Sequence, residues 1–177
     1  MNVTKQFLRT FAGDGVRFLA NAQQRSGNRA GQSSHGYRWP YGPVAIVTPF
    51  NFPLEIPALQ LMGALFMGNK VVIKGAPITS LVLEMFVRLL HKCGMPVTDV
   101  DVIHSDGPVM NELILKAPIR LTQFTGSATV AEKLAKDTNG RVRLEDSGFD
   151  WKILGPDVRD GKWVYTNTQV VMFSSVR

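Results

Sequence analysis

Five short segments carry the side chains of this sequence that are best suited to chemistry, and each follows a run of apolar residues. They are Thr48–Asn51, Lys74, Ser105–Gly107, Thr125–Ser127 and Glu145–Gly148. Together they offer a side-chain amide, an amine, hydroxyls, glycine-flanked backbone N–H groups and a carboxylate. Such groups can hold a phosphate-bearing ligand and move a proton, provided that the fold brings the segments together.

Asn51 and Glu145 are the candidates for catalytic work. The side-chain amide of Asn51 can donate a hydrogen bond to a developing oxyanion, although asparagine also favours turns on its own account. Glu145 ends a predicted strand just before Asp146-Ser147-Gly148, where a carboxylate can act as a general base. A plain surface carboxylate would give the same sequence, so both interpretations stay open.

Lys74 and Ser127 are the candidates for binding a ribose or a phosphate. Lys74 ends a predicted strand and can reach either group as a compact positive charge, or it can be merely solvated. Ser127 begins a predicted helix directly after a strand, where free N–H groups favour phosphate and Gly126 allows close approach. A simple N-cap serine is the alternative.

Other candidate motifs fail on residue type or spacing. No Gly-x-Gly-x-x-Gly fingerprint occurs, and Gly63–Gly68 has an apolar interior that does not suit a phosphate loop. His35, His91 and His104 are too scattered for a metal site. Cys93 continues the apolar stripe of a predicted helix, so we expect it in the core. The sequence therefore predicts no metal site.

A βαβ unit positions the first two chemical segments. Val44–Val47 and Val71–Ile73 are continuous apolar runs, which predict strands buried on both faces, as in parallel sheets between helical layers. The prolines of Thr48–Pro53 force an irregular turn after the first strand. An apolar helix, Leu54–Met67, connects the two strands. Open parallel sheets bind ligands at this carboxyl edge.

The same alternation continues along the chain. Further strands are predicted at Val100–Ile103, Leu121–Phe124 and Arg141–Leu144, and helices at Ser80–Cys93, Val109–Lys116 and Ala128–Lys136. Five strands alternating with four helices predict an α/β fold, an open parallel sheet with helices on both faces. We expect one edge of this sheet to carry Thr48, Lys74, Ser105, Thr125 and Glu145.

The residues on either side of the sheet differ from it in composition. Residues 1–43 form a predicted helical and linker segment, whose helical spacing breaks at Gly13–Gly15. Residues 44–157 form the α/β domain, and residues 158–177 form a tail without a clear register. Residues 1–40 hold six Lys or Arg and one acidic residue. The basic arm Gln23–Gly36 is predicted to be a solvated linker, with binding to nucleic acid or a membrane as the alternative.

Composition limits the class of protein. With 177 residues, 45% of them hydrophobic, the chain forms one domain or a piece of a larger one. The single Cys93 excludes a disulfide framework and fits a reducing compartment. No apolar run reaches the roughly 18 residues that a membrane span needs, and Met1–Gln6 shows no secretory signal. We therefore expect a soluble protein.

Four motifs, in this order, resemble the successive signatures of the aldehyde dehydrogenase superfamily. They are Pro49-Phe50-Asn51-Phe52-Pro53, the segment Gly68–Lys74, Phe124-Thr125-Gly126-Ser127 and Leu144-Glu145-Asp146-Ser147-Gly148. Within this superfamily, Ser34–Val44, Leu54–Pro57 and Gly148–Asp157 resemble the plant-type delta-1-pyrroline-5-carboxylate dehydrogenases. The resemblance covers about residues 3–160. It implies an incomplete NAD-binding domain with a Rossmann-like sheet.

The resemblance also implies a role for each matched residue. Asn51 becomes the oxyanion-hole amide, and Glu145 becomes the general base that activates a cysteine and then the hydrolytic water. Lys74 becomes a contact to the adenosine ribose of NAD, while Gly126 and Ser127 face the pyrophosphate. The other implied cofactor-binding positions are Thr48, Pro49, Phe50, Gly107, Thr125 and Asp146.

Three departures from the family pattern limit what the chain alone is expected to do. The family's nucleophilic cysteine lies in a Gly-Gln-x-Cys motif that would fall at or beyond Arg177, and Cys93 matches no catalytic position. Pro77 stands where many relatives carry a carboxylate for the ribose hydroxyls, which leaves Lys74 less supported. The resemblance fails from about Gly161, so the tail looks like foreign sequence.

The resemblance finally implies an activity and partners. The family oxidises glutamate semialdehyde to glutamate with NAD in proline breakdown, in mitochondria, so NAD, a small aldehyde and a further subunit are the expected partners. A homo-oligomer or pairing with an intact subunit is expected, without nucleic acid or membrane. The chain alone is expected to be inactive. The alternatives are a non-catalytic remnant that binds nucleotide or an intact subunit, and a nucleic-acid binder that uses the basic arm.

Overall fold

The computed structural model describes residues 2–146, which lie in one compact unit. The remainder of the α/β domain, from Ser147 to residue 157, and the tail at residues 158–177 lie outside the described residues. The predictions made for those parts stay predictions.

The N-terminal segment contains two helices and a hairpin. Helices α1 (Asn2–Ala12) and α2 (Asp14–Ala20) are separated at Gly13, as the broken spacing predicted. Strands β1 (Gln23–Ser26) and β2 (Ser33–Gly36) pair antiparallel, so the arm predicted to be a linker is a hairpin. All residues of both strands are exposed. The polar side chains show no alternating apolar pattern that would predict strands, because backbone hydrogen bonds and a turn hold this hairpin together.

The α/β sheet follows, with elements close to their predicted bounds. In chain order they are β3 (Pro43–Val47), α3 (Glu55–Phe66), β4 (Lys70–Lys74), a 3₁₀ turn (Pro77–Thr79), α4 (Ser80–Lys92), β5 (Val100–Val102), α5 (Gly107–Lys116), β6 (Leu121–Gly126), α6 (Ala128–Asp137) and β7 (Val142–Asp146). The five strands and four helices predicted for the sheet are all present. Within residues 2–146, no helix has the length and apolar character to cross a bilayer.

The strand order of the sheet is β5-β4-β3-β6-β7, and every neighbouring pair is parallel. Within this sheet the chain passes first through the central strand β3 and then outward through β4 and β5. It then crosses back to the other side of β3 and forms β6 and β7. The direction of winding therefore reverses between β3 and β6. In open α/β sheets, ligands bind beyond the carboxyl ends of the strands at such a switch point.

Helices cover both faces of the sheet, as predicted. On one face, Val44 and Ile46 of β3 belong to a core cluster with Leu61 of α3 and Leu83 of α4. On the other face, Ala45 belongs to a cluster with buried residues of α5 and α6. Successive residues of β3 thus enter opposite clusters, and this explains its uninterrupted apolar sequence.

Cys93 is exposed, so its predicted place in the core is wrong. The apolar stripe of α4 is buried at Leu83, Phe86 and Val87, but the helix ends at Lys92. Cys93 is the C-cap residue, and the next residue is a glycine with φ +100. This left-handed conformation turns the chain out of the helix, so the helical spacing no longer applies at the cysteine.

Candidate functional site

The carboxyl edge of the sheet carries the predicted strand-end segments as far as the structure describes them, the last one up to Asp146. The register pairs Val47 with both Lys74 and Phe124, and it pairs Thr125 with Glu145. Because every pair of strands is parallel, the residues that follow β3 and β5 leave the sheet at the same edge. The convergence predicted for Thr48, Lys74, Ser105, Thr125 and Glu145 is therefore confirmed.

Lys74 is a buried residue, only 8% exposed, and not the solvated lysine that its position at a strand end allowed. Its Nζ donates a 3.3 Å hydrogen bond to the carbonyl of Gly75, and its own carbonyl accepts one of 3.0 Å from the N–H of Thr48. Burial lowers the pKa of Lys74, and attraction to Asp106 opposes this change. An amine with so little access to water interacts strongly with an anionic or polar ligand.

An apolar pocket of about 480 Å³ opens beside Lys74. Val47 and Phe124 contribute to its lining from the sheet, and residues from Gly107 on α5 and Val130 on α6 contribute from the helices. Ligand pockets of roughly 300–1,000 Å³ with apolar walls and a few polar groups bind small molecules. This pocket suits a flat heteroaromatic ring, with a buried cation at its side.

Asp106 lies within the predicted segment Ser105–Gly107, but the sequence pattern indicated no role of its own for it. Its Oδ1 accepts a 2.9 Å hydrogen bond from the N–H of Val109, so it is the N-cap of α5. An aspartate directly before Gly107-Pro108 is a recognisable helix start, and this signal was available in the sequence. Its electrostatic attraction to Lys74 could not be predicted from the sequence, because only the fold brings the two strand ends together.

The start of α6 presents Ser127 as its N-cap. The backbone of Ser127 is extended, at φ −73 and ψ 146, and its side chain makes no capping hydrogen bond. A Cβ at Gly126 would lie 2.6 Å from Cζ of Phe124, so packing alone already requires glycine at this position. The N–H groups of the first helical turn form a suitable site for an anion.

Glu145 is linked to the neighbouring strand through Thr125. The Thr125 hydroxyl donates a long hydrogen bond of 3.4 Å to Glu145 Oε2, and it accepts one of 3.0 Å from Nε2 of Gln60. Gln60 lies on α3, the helix that follows the Asn51 segment. Sequence reasoning missed Gln60, because a glutamine on an apolar helix carries no motif and only the fold brings it to Thr125.

The segment after β3 is buried at its start and exposed further on. Asn51 and Phe50 are exposed, whereas Thr48 is buried. Within residues 2–146, the hydrogen bonds of Glu145 include Thr125 but not Asn51. The two candidate catalytic residues thus share an edge without a direct hydrogen bond. Asp146, also exposed, ends β7 in register with Gly126 of β6.

Comparison with known protein families identifies the family of this chain. The aldehyde dehydrogenase family profile matches residues 1–173. The chain belongs to this family. The match extends past residue 160, further than the individual motifs indicated, and it includes most of the tail at residues 158–177.

Two plant proteins are similar to almost the whole chain. Delta-1-pyrroline-5-carboxylate dehydrogenase 12A1, mitochondrial, from Arabidopsis thaliana is 63% identical over 162 residues, which are 92% of this chain and 29% of that protein. A probable aldehyde dehydrogenase from Linum usitatissimum is 59% identical, over 93% of this chain and 30% of that protein. The chain therefore spans less than a third of the length of these two relatives.

Solved structures share the fold. A mutant of proline utilization A from Bradyrhizobium japonicum has a TM-score of 0.75 at 28% identity, over 82% of this chain and 16% of that one. An oxidoreductase from Marinobacter aquaeolei has a TM-score of 0.73 at 25% identity, over 80% of this chain and 30% of that one. These similarities confirm the predicted parallel α/β architecture.

Proposed function

We propose that this chain forms most of the NAD-binding portion of an aldehyde dehydrogenase that oxidises L-glutamate 5-semialdehyde (delta-1-pyrroline-5-carboxylate) to glutamate in proline catabolism. The name and 63% identity of the Arabidopsis thaliana relative support this substrate. The likeness to proline utilization A agrees with it. The observation that carries the proposal is the convergence of buried Lys74, the apolar pocket and Glu145 at one edge of the sheet.

The residues at this edge fit NAD. The apolar pocket accepts the adenine ring, and Lys74 beside it donates to the ribose. Gly126 and Ser127, at the start of α6, hold the pyrophosphate through unpaired N–H groups. Further contacts come from other residues that follow the strands at this edge, namely Thr48, Pro49, Phe50, Gly107, Thr125 and Asp146.

The chain contributes two groups to the oxidation. Bound NAD supplies the hydride acceptor. The side-chain amide of Asn51 donates a hydrogen bond to the oxyanion that forms on the aldehyde oxygen. Glu145 takes a proton at its carboxylate, where the Thr125 hydroxyl already donates to Oε2. The nucleophilic thiol of the family mechanism does not come from Cys93, the only cysteine of this chain, because it caps α4 and matches no catalytic position.

A chain that binds nucleotide without turnover, or that pairs with an intact subunit, is the second candidate. The position of Cys93 favours it: the thiol lies at the end of α4, and residues 2–146 hold no other cysteine. For both candidates we propose a mitochondrial location, on the strength of the location that the Arabidopsis thaliana relative's name gives.

Titration of NAD into the purified chain tests the binding site. We expect a dissociation constant weaker than about 1 μM, or about −8 kcal/mol, since the chain spans only 29% of its relative. In ¹⁵N NMR spectra, shifts centred on Lys74, Gly107 and Ser127 are expected. Shifts confined to the β1–β2 hairpin, together with salt-sensitive binding of unrelated DNA, would favour nucleic-acid binding instead.

A further inference from the structure

A second, polar pocket of about 380 Å³ lies next to the apolar one. Its lining consists of Gly75, Pro77, Ser80, His104, Ser105 and Asp106. Gly75 and Asp106 are the chain neighbours of Lys74 and Gly107, which line the apolar pocket. The two pockets therefore meet where β4 ends and α5 begins.

Among residues 2–146, Asp106 is the one carboxylate in the lining of this polar pocket. Pro77 has no polar side-chain atom, and the hydroxyls of Ser80 and Ser105 donate to the carbonyls of Pro77 and Asp106 at 3.0 and 3.1 Å. The Asp106 side chain accepts the capping hydrogen bond from Val109 at Oδ1. Within residues 2–146 it accepts no other, so its second oxygen is available to a ligand.

Lys74 and Asp106 are complementary charges at the junction of the two pockets. A ribose beside the apolar pocket has oxygen atoms that accept hydrogen bonds and two adjacent hydroxyls that donate them. An amine and a carboxylate together satisfy both kinds of group. A phosphate on the 2′-hydroxyl would instead bring roughly 1.5 to 2 negative charges next to the carboxylate.

We propose that Asp106 accepts hydrogen bonds from the ribose hydroxyls of the bound nucleotide and thereby selects NAD over NADP. The inference rests on the nucleotide binding proposed above and adds the residue that sets its selectivity. Lys74 on its own would attract a 2′-phosphate, whereas the carboxylate beside it repels one. His104 does not offset this repulsion. Its Nε2 lies 3.5 Å from Oε2 of Glu84, and this carboxylate balances the positive charge of a protonated His104.

Asp106→Asn is the decisive variant, because asparagine keeps the N-cap of α5 and nearly the same shape while it removes the charge. Calorimetric titration of the full chain with NAD and with NADP gives the ratio of the two affinities. The parent chain is expected to bind NAD at least tenfold more tightly. Asp106→Asn is expected to reduce this ratio at least fivefold, chiefly by tighter binding of NADP.

Asp101→Asn is the matched control. Asp101 is an exposed residue of β5 that lines neither pocket, and its substitution changes the net charge equally. The control is expected to leave the ratio unchanged. If the parent binds NAD and the ratio is the same in Asp106→Asn, the selectivity proposal is overturned while nucleotide binding stands. If the parent binds neither nucleotide, the proposed function fails and the selectivity proposal fails with it.

Discussion

The side-chain amide of Gln60 donates a 3.0 Å hydrogen bond to the hydroxyl of Thr125. A hydroxyl carries one proton, so this contact leaves the Thr125 proton free for Glu145, whose Oε2 lies 3.4 Å away. Helix α3 thus sets the direction of a hydrogen bond that ends on the candidate base. The other atom of the amide, Gln60 Oε1, is buried and lacks a partner within residues 2–146.

Replacing Gln60 with leucine is expected to release the Glu145 carboxylate with little effect on stability. The variant loses one hydrogen bond but also removes an unsatisfied buried acceptor, so the free energy of unfolding should change by no more than about 1 kcal/mol. The carboxyl ¹³C resonance of Glu145 should move, whereas it should stay in place in Gln6→Leu, at an exposed position of α1. An unmoved resonance in Gln60→Leu would show that α3 does not position this group.

Lys74 is expected to favour binding at the expense of stability. Because its pKa is lowered in the folded state, the unfolded chain binds more protons between that lowered value and 10.5. The contribution of Lys74 to the free energy of unfolding therefore increases as pH rises through this window, and at lower pH the protonated amine destabilises the fold.

Lys74→Met should therefore stabilise the chain at neutral pH, by about 0.5–2 kcal/mol, the range common for single stabilising substitutions. The same variant should lose affinity for NAD. Urea unfolding as a function of pH gives the measurement, and the gain should shrink as pH approaches 10.5. Lys5→Met, at an exposed position of α1, is the control and should show neither effect. A Lys74→Met chain that is less stable than the parent would contradict this account.

Asn69 has a structural role that explains its place in the Gly68–Lys74 motif. It is 7% exposed, and its Oδ1 accepts from the N–H groups of Tyr41 and Gly42 at 2.8 and 3.2 Å. Its Nδ2 donates to the carbonyl of Ala64 at 3.0 Å. The side chain thus joins the start of β3 to the end of α3.

Asn69→Ala is expected to lower the free energy of unfolding by about 2–4 kcal/mol, because it leaves several partly buried backbone groups without partners. Asn28→Ala, at an exposed position between β1 and β2, should change it by no more than about 0.5 kcal/mol. Denaturant unfolding of the two variants provides the comparison. Equal effects would mean that the Asn69 hydrogen bonds do not hold β3 and α3 together.

The centre of the sheet was predictable because strands β3 and β4 are buried on two faces. A run such as Val71–Ile73 has no polar residue to interrupt it, so the strand can be read from the sequence. Glycine or proline marks most of the turns, so the ends of the strands can be predicted as well. The prediction that Cys93 lies in the core was wrong because the helical spacing of apolar residues continues in the sequence for one residue after the helix ends. The β1–β2 hairpin was not predicted because its strands are polar and show no hydrophobic pattern.

The site was predictable residue by residue only where a side chain follows a strand directly. Lys74 and Glu145 were found in this way. Gln60 was missed, and Asp106 was included only as part of Ser105–Gly107 without a role. Both depend on other elements: Gln60 bonds to Thr125 on β6, and Asp106 attracts Lys74 at the end of β4. Local patterns in the sequence carry no information about such tertiary pairs.

The purified chain is expected not to oxidise glutamate semialdehyde or any other aldehyde with NAD. In the family mechanism a thiol must first add to the aldehyde, and Asn51 and Glu145 act as a unit with that thiol, so they should rescue little without it. Cys93 cannot serve, because α4 starts near the carboxyl edge and its thirteen residues carry the chain about 20 Å away from it. Absorbance of NADH after addition of aldehyde provides the measurement, with Cys93→Ser beside the parent. Turnover that survives extensive purification would refute this prediction, and its loss in Cys93→Ser would mean that the exposed cysteine reaches the site.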